Sequence, residues 1–317
     1  MPNYSGSWNL VQQMQAVAAS NWPNPPPAVG AVGIFALGQA PGASTTRDKY
    51  TFSGCVVSSA TAASCASTKG SAAGNSTVGI FALGSVGSRS SIRNRYTYAD
   101  NTNIVATAAT CASNYQSATG NSTTGIFALG CIACSPSTTR NKYTYSGDTN
   151  ASATAASAGS LQGAATGNST TGIFALGGNT SFVATTIRNK YTYSGCVNAS
   201  ATASSVASRC GSAVGNSTAG IFALGRNCAG STTVTRNKYT YSGCVNASAT
   251  AATCASAQGS AAGNACVGIF ALGYNGSKST IRNKYTYSGC VVSTGGAASV
   301  ASCYGAAASN GTTGVNV

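Results

Sequence analysis

The chain has 317 residues, of which only 6% are charged: seventeen Lys and Arg stand against three Asp and Glu, with no His, for a formal net charge of +14. Without histidine, a Ser-His-Asp triad and a His-based metal centre are excluded, and no apolar run approaches the roughly 20 residues of a membrane span. The length is ample for a core, and regular aromatic and aliphatic anchors set the Gly/Ala/Ser/Thr/Asn-rich composition apart from that of a disordered chain.

Residues 1–32 form a lead-in. Gly6-Ser-Trp8-Asn-Leu10-Val-Gln-Gln-Met14 and Asn21-Trp22-Pro23 contain both tryptophans. Leu10, Met14 and Val17 have helical spacing, and Pro23 with Pro25, Pro26 and Pro27 ends any helix there. Trp8 and Trp22 read equally as plugs of a closure seam or as docking anchors in an assembly. The start has neither the basic nor the apolar region of a signal peptide, and Met1 is expected to be a native start.

Residues 33–310 hold six near-copies of one unit. Gly-Ile-Phe-Ala-Leu-Gly begins at Gly33, Gly79, Gly125, Gly172, Gly220 and Gly268, 46 to 48 residues apart. A period of about 40–50 residues is the mark of a propeller or solenoid, whose repeats bury their apolar faces only against neighbours. In the copy starting at Asn121, the apolar run to Gly130 reads as a buried strand. After a Gly/Ser/Thr turn, Arg140-Asn-Lys-Tyr143-Thr-Tyr145 alternates strictly, as a half-buried strand does. A weaker alternating strand follows, and an Ala/Gly stretch, a possible fourth strand, links to the next copy. Four strands per repeat make a propeller blade.

The extremities bear on the blade count. Gly311-Thr-Thr-Gly314-Val-Asn-Val317 matches the start of the apolar strand in period, and Asn3-Tyr-Ser-Gly6 matches the end of the aromatic one. The expected fold is an all-β, seven-bladed propeller in one domain. Six intact blades are joined by a seventh, built from the lead-in and the closing strand 311–317. Six blades is the alternative.

Most of the positive charge recurs as Arg-x-Lys or Arg-x-Arg: Arg47 and Lys49, Arg93 and Arg95, Arg140 and Lys142, Arg188 and Lys190, Arg236 and Lys238, Arg282 and Lys284. Dealt out evenly, this charge makes a ring, whereas a nucleic-acid binder gathers charge on one face, so no nucleic-acid partner is expected. The ring is read either as solvated strand residues that confer solubility or as a site for an anionic ligand. Thirteen cysteines co-occur between copies, which suggests local disulfides Cys55–Cys65, Cys196–Cys210, Cys244–Cys254 and Cys290–Cys303. Cys228/Cys266 and Cys131/Cys134 are further candidates, leaving Cys111. Cys131-Ile-Ala-Cys134 has no second close pair to complete a zinc site, and neither metal nor cofactor is expected.

The period, the Gly-closed apolar strand and the aromatic strand after it resemble Kelch-type propellers, although the double glycine survives only at Gly177-Gly178. Repeats of this kind are similar to ones in bacterial and bacteriophage proteins. The Gly-x-Trp-x-Leu…Trp-Pro lead-in resembles a segment of tailed-phage structural proteins. The resemblance implies a non-enzymatic virion protein, the propeller of a tail fibre or capsid-surface appendage, present in many copies. Its partners would be other virion proteins and host-surface polysaccharide. A virion, oxidised after release, also reconciles disulfides with the missing signal peptide. A secreted bacterial lectin or adhesin is the alternative.

Overall fold

The computed structural model describes residues 31–311. Six four-stranded antiparallel sheets follow one another in the chain, with two additional two-stranded ribbons in loops. One complete blade runs Ser117–Gly120, Thr124–Ala128, Arg140–Thr144 and Thr149–Ala153, from the innermost strand outward. The innermost strands contact one another in a closed circuit around the axis.

The first blade closes the ring. Its three outer strands, Val32–Ala36, Arg47–Thr51 and Val56–Ala60, come from the start of the described chain. Its innermost strand, Ala306–Ser309, comes from the far end and pairs antiparallel with Val32–Ala36, Gly33 opposite Ser309 and Ala36 opposite Ala306. Closure by strands from both ends is therefore present, with six blades and not seven. The matched fragments at Asn3–Gly6 and Gly314–Val317 lie outside the described residues.

The miscount has a physical origin. The stretches read as linkage, such as Ser71-Ala-Ala-Gly74 and Ser212-Ala-Val-Gly215, are the innermost strands, fully buried. Six strands crowd around one axis there, and only small side chains fit. The crowding reaches the second strand: a Cβ on its Gly220 would stand 2.4 Å from Thr166 Cγ2 on the innermost strand of the preceding blade and 2.9 Å from the Tyr241 hydroxyl.

The core is a set of layers between blades. In the second strand, Ile projects toward the following blade and Phe toward the preceding one. Ile80 thus packs with Phe127, Tyr143 and Tyr145 in one buried cluster. Both faces of every sheet are covered. The Gly after each Leu turns the chain in left-handed conformation: Gly130 has φ +67, and a Cβ there would collide with the Tyr115 carbonyl at 2.3 Å.

Candidate functional site

The arginines of the recurring motif do not form an exposed ring. Arg47, Arg93, Arg140, Arg188, Arg236 and Arg282 are at most 1% exposed. Each guanidinium lies over the Phe ring of the following blade, at 4.4–4.5 Å from the centroid. Its Nη2 donates to the side-chain oxygen of the next Arg-x-Lys motif, as Arg93 does to Asn141 at 3.2 Å. Burial pushes the Arg93 pKa down to about 10, which leaves it charged at neutral pH. Alternation along the strand marks two faces, and in a propeller both face protein. The second basic position, Lys49, Arg95, Lys142, Lys190, Lys238 and Lys284, is half-buried. Lys142 Nζ stands 3.8 Å from Cys196 Sγ of the next blade.

All thirteen cysteines are free. Cys55, Cys196, Cys244 and Cys290 sit with φ 51–52 in the turn before the outer strand, and Cys65, Cys210, Cys254 and Cys303 lie beyond that strand's other end. The strand Val56–Ala60, about 17 Å long at five residues, lies between Cys55 and Cys65, and neither sulfur is bridged. In the copies without this cysteine, Asn101 and Asp148 occupy the turn and accept from the Tyr96 and Tyr143 hydroxyls. Asn101, and not its neighbour Asp100, is therefore the equivalent position. Trp8 and Trp22 lie outside the described residues.

The two ends of the strands differ in kind. At one end the connections are repetitive: Asn75, Asn121, Asn168 and Asn216 each cap the same short turn through Oδ1. At the other end lie the loops after Leu-Gly, and these diverge between copies. They begin Gln39-Ala-Pro, Ser85-Val-Gly, Cys131-Ile-Ala, Gly178-Asn-Thr, Arg226-Asn-Cys and Tyr274-Asn-Gly.

On this divergent face, a ring surrounds the axis. Lys69, Tyr115, Gln162, Cys210, Gln258 and Tyr304 precede the six innermost strands, all left-handed with φ between 55 and 61. Each N–H donates to the carbonyl of the equivalent residue one blade back, at 2.7–3.1 Å, and Lys69 donating to Tyr304 completes the hexagon. A left-handed residue other than Gly costs roughly 1–2 kcal/mol, which the six cooperative bonds offset. The cavity on the axis is about 50 Å³, room for little more than a water or two. Lys69 Nζ lies between two aromatic rings, 4.9 Å from the Tyr115 centroid and 5.6 Å from that of Tyr304.

The five cations outside the recurring motif, Lys69, Arg89, Arg209, Arg226 and Lys278, all fall on this face. Arg209 and Arg226 face each other in an isolated antiparallel bridge outside the strands, and Arg209 donates to Gln162 at 3.3 Å. Burial raises the Cys303 thiol pKa, and Lys278, Arg226 and Lys69 from three different blades pull it back. None of the three acids is here. Asp48 is buried between blades, while Asp100 and Asp148 occupy turns at the opposite ends of their strands. Reading the motif as the charge-bearing element missed these residues. The signal available was divergence among otherwise near-identical copies.

Fold and site together define a six-bladed β-propeller with one divergent, cationic face. Comparison with protein families and with curated proteins returns no match to this chain. Among solved structures, one titled "Structure of YjhT" has a TM-score of 0.63 at 12% identity and covers 79% of this chain and 93% of that one. At that identity the likeness establishes the propeller fold alone.

Proposed function

We propose that this propeller is a non-enzymatic binding module whose divergent face holds an acidic surface polysaccharide. Its setting would be a phage tail fibre or capsid-surface appendage, with a secreted adhesin as the alternative. The observation that carries the reading is the segregation of charge: five cations from several blades share the face that carries the divergent loops, and no acid does. A face of one sign attracts and concentrates anionic partners, and contacts from several blades to a repeating polymer gain about 10²–10⁴ through avidity. The Kelch-like character and the phage setting are supported by the sequence resemblances.

Immobilised protein is expected to retain acidic but not neutral polysaccharides, with retention falling as salt rises and no shortened chains released. Retention of neither kind, or the appearance of cleaved product, overturns the binding reading. Peptides of this chain in the mass spectrum of purified virions test the setting.

A further inference from the structure

Four of the six blades carry a cysteine where the other two carry a side-chain oxygen. Cys55, Cys196, Cys244 and Cys290 hold the turn before the outer strand with φ 51–52, and Asn101 and Asp148 hold it with φ 52 and 48. The six side chains therefore start from equivalent backbone. In the two oxygen copies, Oδ1 gathers two donors. Asn101 accepts from the Tyr96 hydroxyl of its own blade and, at 3.1 Å, from the Thr61 N–H of the preceding blade. Asp148 accepts likewise from Tyr143 and, at 3.1 Å, from Thr107.

In the cysteine copies the same donors are in place and meet sulfur instead. The Tyr191 hydroxyl stands beside the Cys196 sulfur and the Thr154 N–H. Tyr50 stands in the same way beside Cys55 and Gly296, Tyr239 beside Cys244 and Thr202, and Tyr285 beside Cys290. All four tyrosines are fully buried, and their hydroxyls lack a hydrogen-bond acceptor. Buried donors left in this state are costly. Burial first, and then the neighbouring thiol, raise the Tyr191 phenol pKa, so the hydroxyl keeps its proton to donate. At three interfaces a cation from the preceding blade joins them. Lys142 Nζ lies 3.8 Å from Cys196 Sγ, Lys190 Nζ 3.8 Å from Cys244 Sγ, and Lys284 Nζ 3.9 Å from Cys55 Sγ.

One oxygen on the sulfur would serve these donors, because Cβ–Sγ–O follows the course of Cβ–Cγ–Oδ1 in asparagine. We propose that Cys55, Cys196, Cys244 and Cys290 are sites of reversible oxidation by peroxide, each held as a sulfenic acid by the tyrosine of its own blade and the N–H of the preceding one. At Cys55, Cys196 and Cys244 the lysine adds a third donor. These cysteines are partly exposed, so peroxide reaches the sulfur, and the oxygen left on it meets the buried hydroxyl from within. The sulfur attacks one peroxide oxygen, the O–O bond breaks as the S–O bond forms, and the thiol proton leaves with the second oxygen as water. Sulfur loses two electrons and peroxide gains them. A dithiol reverses the step, closing to a disulfide as the oxygen departs in water. The inference is independent of polysaccharide binding.

The test exposes the reduced full chain to limited hydrogen peroxide and removes the excess with catalase. Samples are then unfolded over time in dimedone, which labels sulfenic acid, with iodoacetamide for the remaining thiols, and peptide mass spectrometry reads each cysteine. Sulfenic acid at the four turn cysteines is expected to outlast that at the exposed Cys111, Cys134 and Cys266 about tenfold, and to return to thiol with dithiothreitol. Tyr191→Phe is expected to shorten the lifetime at Cys196 about tenfold while leaving those at Cys55 and Cys290 unchanged. Thermal melting establishes that the variant is folded. Lifetimes that follow exposure alone overturn the proposal, and so does a lifetime at Cys196 that Tyr191→Phe does not move. The absence of sulfenic acid from all four positions overturns it as well.

Discussion

Arg282 Nη2 lies 2.8 Å from Asp48 Oδ2 across the seam between the last blade and the first. At the five other blade interfaces the same arginine nitrogen meets an asparagine: Asn94, Asn141, Asn189, Asn237 or Asn283, at 3.2–3.3 Å. Five interfaces join blades that the chain already connects. The sixth joins strands far apart in sequence, and there the neutral acceptor is replaced by a charged one. Asp48 also accepts from the Ser299 backbone N–H at 3.0 Å and from the Ser299 hydroxyl.

Asp48→Asn converts the seam into a copy of the other interfaces, since Asn94 Nδ2 donates to Ser64 Oγ at 2.7 Å where Asp48 accepts from Ser299. Its cost is expected to stay within about 1 kcal/mol. Asp48→Ala leaves the Arg282 charge buried without a partner, at a cost of about 3–5 kcal/mol. Denaturant unfolding of the two variants checks the difference. Equal losses would mean that the seam is not held by this contact.

Much of this fold was legible because its second and third strands use large, patterned residues. Gly-Ile-Phe-Ala-Leu-Gly and Tyr-Thr-Tyr were read correctly as strands, and the 46–48-residue period as blades. The innermost strands were legible only as a possible fourth strand and were otherwise taken for linkage, because crowding at the axis selects Ala, Ser and Gly, which carry little strand signal of their own. That loss led to the wrong blade count. The arginines were misread for a related reason: a guanidinium stacked on Phe and bonded to Asn looks in sequence like a solvated one. Lys69 and Arg89, by contrast, carried no motif and became visible only once the fold brought them to one face.

The arginine girdle has one gap that a substitution can fill. Arg47, Arg93, Arg140 and Arg188 each donate a second bond from Nη1, to Asn103, Asn150, Asn198 and Asn246 on the outer strand of the next blade, at 2.7–2.8 Å. In the last blade, Val292 occupies that register position opposite Tyr285, and Arg236 Nη1 is buried without a partner. Val292→Asn is expected to raise stability by about 0.5–1.5 kcal/mol. A lower melting temperature would show that the valine's packing in its inter-blade cluster outweighs the bond.

The cysteines give a chemical readout. Because the proposed partners lie at opposite ends of the outer strands, reductant is expected to leave the melting temperature unchanged, and denatured protein should titrate thirteen thiols without prior reduction. In the native state the exposed Cys111, Cys134, Cys228 and Cys266 should react first. Cys210 is buried, and its pKa is pushed up to about 11 by that burial against the pull of Arg209 and Arg226, so it should react late. A thiol count below thirteen in denatured, unreduced protein would reveal a bridge.

The second tyrosine of the Tyr-x-Tyr pair, present in five of the six copies with Phe52 in its place in the first, separates packing from hydrogen bonding. Tyr193 donates to the Gly120 carbonyl at 3.2 Å, whereas the Tyr145 hydroxyl is buried without a partner. Tyr193→Phe is therefore expected to cost about 1 kcal/mol, and Tyr145→Phe to be neutral or stabilising. Burial raises both phenol pKa values above the ordinary 10, and those of Tyr98, Tyr241 and Tyr287 with them. The folded chain thus keeps protons that the unfolded chain sheds above pH ~10, so this contribution is complete below that pH and is lost as pH rises further. Six buried arginines, lowered by burial, act in the opposite sense over the same range, but eleven tyrosines in all are raised, so the tyrosines prevail. Stability should hold level on approach to pH ~10 and then fall, with tyrosinate absorbance from these five rings appearing only as the protein unfolds. Tyrosinate from all of them at pH ~10 in a chain that remains folded would contradict their burial between blades.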